Sequence, residues 1–244
     1  MYNNLHNWSI YSLGDHAIVF ALEEKIDPSI VNTINRLNAF IKSKEIPGVR
    51  DIIPSYHALT LVYDIIQFSN NSKNISDYLD EFSIQVLNEF DLIPTTYSNE
   101  SNQIIRMPVC YELPFALDLE NLSATKQIAV EEIIQIHTSK TYEVYSIGFL
   151  PGFAYMGIVD ERISMPRHDK PRAQVLPGSV GIAGIQTGIY PLTSPGGWQI
   201  IGRTPITIFD PVQLALFAPG DMVSFYPISL DEFNSLQKET NHVI

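Results

Sequence analysis

Pro177-Gly-Ser-Val-Gly-Ile-Ala-Gly-Ile-Gln-Thr-Gly-Ile-Tyr-Pro191 is the stretch on which the fold turns. Its first half, Gly178 to Gly184, resembles a glycine loop that cradles phosphate. Such a loop must follow a strand and open a helix. Here Gly188 and Pro191 follow instead and forbid a helix, so Rossmann and P-loop readings fail. The spacing predicts a glycine-cornered β-hairpin. A backbone surface approached by a ligand is the other use of such glycines. Outward from this hairpin, the 63 residues Tyr145–Thr207 hold 10 of the 13 glycines and 7 of the 16 prolines. Glycine permits positive φ and close approach, and proline cannot sit inside a ladder. Interleaved with Val175–Leu176, Val180–Ala183 and Ile200–Ile201, they predict short strands with tight corners, a barrel or closed sandwich. Ile206–Phe209 and Met222–Tyr226 read as further strands, and Asp210–Leu216 as a short helix or turn.

Upstream, the pattern is different. Trp8–Tyr11 and Ala17–Leu22 read as strands around the turn-like Leu13-Gly14-Asp15. Asp27-Pro28 is a helix start, with Asp27 as cap and Pro28 in the first turn. Ile30, Ile34, Leu37 and Ile41 then share one helical face. Ile46-Pro47-Gly48 ends that helix. Val49–Ile53 and Leu59–Tyr63 read as a strand pair, and Ser76–Phe90 as a helix with Leu79, Phe82, Val86 and Phe90 on one face. The order β-β-α-β-β-α predicts helices packed on one side of an antiparallel sheet. The polar, turn-rich Pro94–Gln103 marks a boundary between a domain at 1–93 and another at 104–244. In the second, Ile104–Tyr111 reads as a strand, Asp118–Thr125 as a helical turn or two, and Glu131–His137 as a short helix. The fold class is α+β: a small antiparallel α/β sandwich followed by a β-barrel.

Composition narrows the function. Apolar residues make up 45% of 244, enough for a sizeable core. The net charge of −12 argues against nucleic acid and against an anionic membrane surface as partners. Cys110 is the single cysteine. It excludes an intrachain disulfide and a cysteine-based zinc site, and it fits a reducing, cytoplasmic setting. The six histidines show no HxH or HExxH spacing, so no metal site is expected. No apolar run approaches the roughly 18 residues that span a bilayer, and no signal-peptide pattern precedes Trp8. No Gly-x-Ser-x-Gly elbow marks a hydrolase serine.

Pro166-Arg-His-Asp-Lys-Pro-Arg172 is the most basic stretch. Between 145 and 207, Arg162, Arg167, Lys170, Arg172 and Arg203 face only Asp160, Glu161 and Asp169. Guanidinium forks suit carboxylate or phosphate oxygens, while a solvated loop with surface ion pairs is the plain alternative. Pro166 and Pro171 each fix φ just before an arginine, which predicts an irregular loop with Arg172 turned inward. Trp198, after Ser194-Pro-Gly-Gly197, reads as a ligand wall or as a plug at the barrel end. His137, at a helix C-terminus that favours its protonated form, reads as an acid–base candidate or as a structural histidine.

Four stretches go further. They are Ile46-Pro-Gly-Val-Arg-Asp-Ile-Ile-Pro-Ser-Tyr-His57, Tyr142-Glu-Val-Tyr-Ser-Ile-Gly-Phe-Leu-Pro-Gly-Phe-Ala-Tyr-Met-Gly157, Pro177–Gly184 and Gln186-Thr-Gly-Ile-Tyr-Pro-Leu-Thr-Ser-Pro-Gly-Gly-Trp-Gln-Ile-Ile-Gly-Arg-Thr-Pro205. Together they resemble the family of the 5-oxoprolinase B component (PxpB), KipI and allophanate hydrolase subunit 1, from about Trp8 to Pro227. The resemblance implies a cyclophilin-like barrel as the C-terminal domain. It also implies partners, a homologous PxpC-like (KipA-like) barrel protein and a PxpA-like protein of a third type. With them, 5-oxoproline is opened to glutamate while ATP, with Mg2+, is consumed by the complex. Other relatives inhibit a sporulation histidine kinase or, in urea amidolyase, transfer carboxyl from carboxybiotin. This chain lacks a biotin-carrier Met-Lys-Met sequence. The family's glycine-rich segment after the cysteine reads Tyr111-Glu-Leu-Pro-Phe-Ala-Leu-Asp-Leu119 here, with its glycines replaced.

A lactam is a poor electrophile, and phosphorylating its amide oxygen makes ring opening by water accessible. On that chemistry His137 and Arg172 are the catalytic candidates. Arg167, Gly178, Ser179, Gln186, Tyr190, Gly196, Gly197, Trp198 and Arg203 are the substrate- or phosphate-binding candidates. The Gly178–Gly184 and Pro195–Gly197 backbones are candidate oxyanion donors.

Overall fold

The computed structural model describes residues 3–5, 7–68, 75–93 and 104–241. The expected boundary at Pro94–Gln103 lies outside them. The chain divides into two compact units, Met1–Glu100 and Ser101–Ile244.

The first unit is built on a five-stranded antiparallel sheet. Its strands are β1 (Asn3–Leu5), β2 (Trp8–Ser12), β3 (Ala17–Ala21), β4 (Val49–Pro54) and β5 (Ala58–Tyr63). They lie in the order β1-β2-β3-β5-β4. Helices α1 (Pro28–Ser43), α2 (Ile65–Phe68) and α3 (Ile75–Asp91) complete the unit. Asp27 caps α1 by accepting from the Ser29 amide at 2.9 Å, and Pro28 opens the helix, as their types require. Ile34, Leu37 and Ile41 of α1 are buried together with Phe20, Leu59 and Leu61 of the sheet and Leu79, Val86 and Phe90 of α3.

The second unit is a closed seven-stranded barrel. Its strands are β6 (Ile104–Cys110), β7 (Thr141–Ile147), β8 (Ala154–Gly157), β10 (Ser179–Ala183), β11 (Gln186–Ile189), β13 (Gln199–Arg203) and β16 (Met222–Ile228). The order is β10-β11-β8-β7-β16-β6-β13, with β13 returning to β10. All pairs are antiparallel except β6–β16. A separate ribbon pairs β9 (Arg172–Val175) with β12 (Ser194–Gly196). Helices α4 (Leu119–Lys126), α5 (Val130–Thr138) and α6 (Leu230–Asn241) complete the unit. The expected hairpin is β10–β11, with Gly184 at φ +58 in its turn.

Two local expectations give way. The short strand expected at Val175–Leu176 is instead Arg172–Val175, ending at Val175. Residues 206–208 are not a strand; only Phe209–Asp210 (β14) pairs, with Leu214–Ala215 (β15). Of the helix or turn expected at 210–216 the structure has the turn, at 211–213, closing the hairpin β14–β15. Asp210 closes its turn by accepting from the amides of Val212 and Gln213 at 2.8 and 2.9 Å, the local bond that lets Asp compete with a regular element.

Candidate functional site

A groove of about 250 Å³ opens in the second unit, beside the ribbon β9–β12. Phe153 and Tyr155, two apart at the start of β8, point to one face and form one wall. Tyr190 and Trp198, buried side chains flanking β12, form another. Their rings meet Phe153 edge-on, with centroids 5.1 and 5.3 Å away. Pro171, Pro195, Gly196 and Gly197 contribute the ribbon side. Phe149 stands at the rim, 65% exposed and at φ +69.

Glycine is required at two places here. A Cβ on Gly188 would lie 3.2 Å from Trp198 and 2.7 Å from the Ala154 carbonyl. A Cβ on Gly196 would run into Tyr190, 2.8 Å from two ring carbons and closer still to the hydroxyl. Bare backbone at these points lets the aromatic rings lie flat against the strands.

Arg167 supplies the charge. It is exposed, its guanidinium lies 5.9 Å from the centre of the Trp198 ring, and no carboxylate is within ion-pair reach of it among the described residues. Burial raises the Tyr155 phenol above its usual range, with Arg167 pulling the other way. Tyr190 is raised by burial too, opposed by a hydrogen bond to the Trp198 backbone. Both phenols are therefore neutral hydrogen-bonding groups at pH 7. The groove presents flat rings for an apolar ring, hydroxyls for polar edges and one guanidinium for an anion.

Of the residues singled out from sequence, the groove brings together Arg167, Tyr190, Gly196, Gly197 and Trp198. The others lie elsewhere. Arg172 opens β9, and its Nη2 donates to Asp118 Oδ1 at 2.5 Å. The inward-facing arginine thus has a carboxylate partner within the chain, and it sits at the start of a strand rather than in an irregular loop. Gly178 donates to the Tyr190 carbonyl and accepts from the Thr204 amide, Ser179 donates to Leu176, and Gly184 donates to Met165. These amides are committed, so this segment has no oxyanion donors to offer from them. Gln186 is buried in β11, outside the groove. Arg203 lies 5.4 and 5.8 Å from the ring centres of Phe115 and Phe233, which touch each other, and its Nε donates to the Pro177 carbonyl. It clasps α6.

His137 requires a correction. It is fully buried in the barrel. Thr187 spends its proton on the Gly181 carbonyl, so it accepts from His137 Nε2–H at 3.0 Å. Nδ1 then accepts from the Tyr111 hydroxyl at 2.8 Å. The ring stacks on Phe225. Burial drives its pKa down to about 3. Desolvation outweighs the helix C-terminus, and the imidazole is neutral, satisfied and out of reach of the groove.

Sequence reasoning passes over Phe149, Phe153, Tyr155 and Pro171 as groove residues, and Asp118 behind them. The i, i+2 pair Phe153–Tyr155 is a readable signal for one wall. Nothing in the sequence ties Asp118 to Arg172. Among the described residues no group of three or more His, Cys, Asp or Glu side chains is placed to hold a metal ion. No helix among them is long and apolar enough to cross a membrane.

The class of the domain comes from its sequence: the family model for the carboxyltransferase domain, subdomains C and D, matches residues 8–217. The chain is 36% identical to the B component of 5-oxoprolinase from Bacillus subtilis, over 96% of its own length and 98% of that protein's. It is 34% identical to the B component of 5-oxoprolinase from Haemophilus influenzae, over 89% and 96%. A conserved uncharacterized protein of Pyrococcus horikoshii superposes with a TM-score of 0.52 at 36% identity, over 92% of this chain and 99% of that one. Urea amidolyase of K. lactis shares the fold, with a TM-score of 0.72 at 19% identity, over 96% of this chain and 16% of that one. The chain belongs to the carboxyltransferase C and D family, among the relatives of the 5-oxoprolinase B component.

Proposed function

We propose that this chain is one subunit of an ATP-dependent 5-oxoprolinase and that its groove holds the lactam. The carrying observation is Arg167 above Trp198 at the edge of an aromatic pocket. 5-Oxoproline is a flat five-membered ring with one carboxylate and one amide. The rings of Trp198, Phe153 and Tyr155 would take its faces, Arg167 its carboxylate, and the Tyr155 and Tyr190 hydroxyls its amide edge. The names of the relatives at 34–36% identity support the same reading.

The groove's single arginine and small volume do not fit a magnesium–triphosphate, and the glycine hairpin spends its amides on the ladder. ATP with Mg2+ therefore belongs to the assembly, with PxpC-like (KipA-like) and PxpA-like partners. Binding, orientation and exclusion of water around the lactam are the roles of this chain, and alone it should be folded but inactive.

Co-expression with candidate partner proteins, followed by glutamate release from 5-oxoproline with and without ATP, tests this. Release is expected only with partners and ATP. Arg167→Ala should lower kcat/KM by roughly tenfold to a hundredfold, as loss of a charge-assisted hydrogen bond of about 1.5–3 kcal/mol implies. Wild-type kcat and KM in that variant would end the assignment. The urea amidolyase likeness makes biotin the competing ligand; calorimetric binding of biotin but not 5-oxoproline would favour carboxyl transfer.

A further inference from the structure

Asp118 is buried, yet it is not part of the groove wall. Its contacts run to two segments that carry groove residues, the strand after Trp198 and the stretch 166–172. Oδ2 accepts from the Ile200 amide at 2.6 Å, and the Asp118 amide donates back to the Ile200 carbonyl at 2.8 Å. This doubly fixes the strand that follows Trp198. Oδ1 takes Arg172 Nη2 at 2.5 Å, at the start of β9. His168 Nε2 lies 3.2 Å from the same oxygen, outside hydrogen-bonding geometry, so it adds attraction only when protonated.

The segment 166–172 is thereby pinned as a strap. Its other ties are the His168 amide to the Gly197 carbonyl at 2.7 Å and Gln199 Nε2 to the Pro166 carbonyl at 2.8 Å. Arg167 and Pro171, the two groove residues of the strap, sit between these ties. The ion pair is monodentate, and Arg172 Nη1 is buried without a partner. Removing Asp118 would leave this part-buried guanidinium without its carboxylate and loosen its hold on the strap.

We infer that Asp118 is a positioning residue: through Arg172 and Ile200 it holds the 166–172 strap, and with it Arg167, against Trp198. The inference deepens the lactam-binding reading and rests on it for the identity of the ligand. The strap's placement is measurable without any ligand.

The test uses the full chain and the variants Asp118→Asn, Asp118→Glu and Arg172→Gln. Hydrogen exchange is followed across 166–172 and across β10–β11, together with calorimetric titration of 5-oxoproline. Asp118→Asn and Arg172→Gln are each expected to speed exchange of the His168 amide at least tenfold, with β10–β11 unchanged. Both should weaken 5-oxoproline binding at least tenfold, and Asp118→Glu should recover part of each loss. Strap exchange equal to that of the parent overturns the inference. So does exchange that rises throughout the barrel, which would make Asp118 a general stabiliser. If the parent binds no 5-oxoproline, the ligand assignment falls while the exchange data still decide the role of Asp118.

Discussion

His137 shows how strongly surroundings set a residue's chemistry. Its ordinary pKa of 6.5 is pushed to about 3 by burial. In that window the unfolded chain binds a proton that the folded chain does not. Stability from this residue is complete above about pH 6.5 and falls as pH drops toward 3, at about 1.4 kcal/mol per pH unit. Urea unfolding at roughly pH 7 and pH 5 should differ by about 2 kcal/mol on this account. His137→Gln should flatten that slope, whatever it does to stability at neutral pH. Gly196 makes the steric counterpart. Gly196→Ala drives a methyl into Tyr190 and should cost about 1–3 kcal/mol by overpacking. It should also weaken 5-oxoproline binding, read by thermal unfolding and calorimetry.

At the scale of elements, strength of local signal decides what can be read from sequence. The capped, one-faced helix α1 and the hairpin β10–β11 are legible because cap, period and glycines all agree. Residues 206–208 are not, because Asp210 and a left-handed Leu214 (φ +66) redirect the backbone where β-branched residues alone read as strand. In the site, Arg167 and Trp198 stand out as a charge and an aromatic among breakers. The division of labour between Arg167 and Arg172 does not, since it depends on Asp118, 54 residues before Arg172. Helix α6 has no strong pattern, and its hold on the barrel runs through Arg203 and Phe233. Burial lowers the Arg203 pKa, and a desolvated cation–π contact is worth about 1–2 kcal/mol. Arg203→Ala should lose about that much and raise hydrogen exchange across Leu230–Asn241.

Across the whole molecule, each unit has its own core, and every groove residue belongs to the second. A chain of residues 101–244 should therefore fold and bind 5-oxoproline within about threefold of the full protein, in keeping with additivity between separate cores. Residues 1–100 should fold without binding it. Circular dichroism and calorimetry on the two fragments check this.

The parallel pair β6–β16 has a consequence during synthesis. It joins the first strand of the second unit to the last, and β16 also pairs with β7. The final stave is thus missing until Ile228 has left the ribosome. At about 5–20 residues per second, β6 and β7 wait several seconds with bare edges, the kind of surface that invites pairing with other chains. A nascent chain stalled before Met222 should accordingly be bound by chaperones and cut by protease. One stalled well beyond Asn241 should resist both.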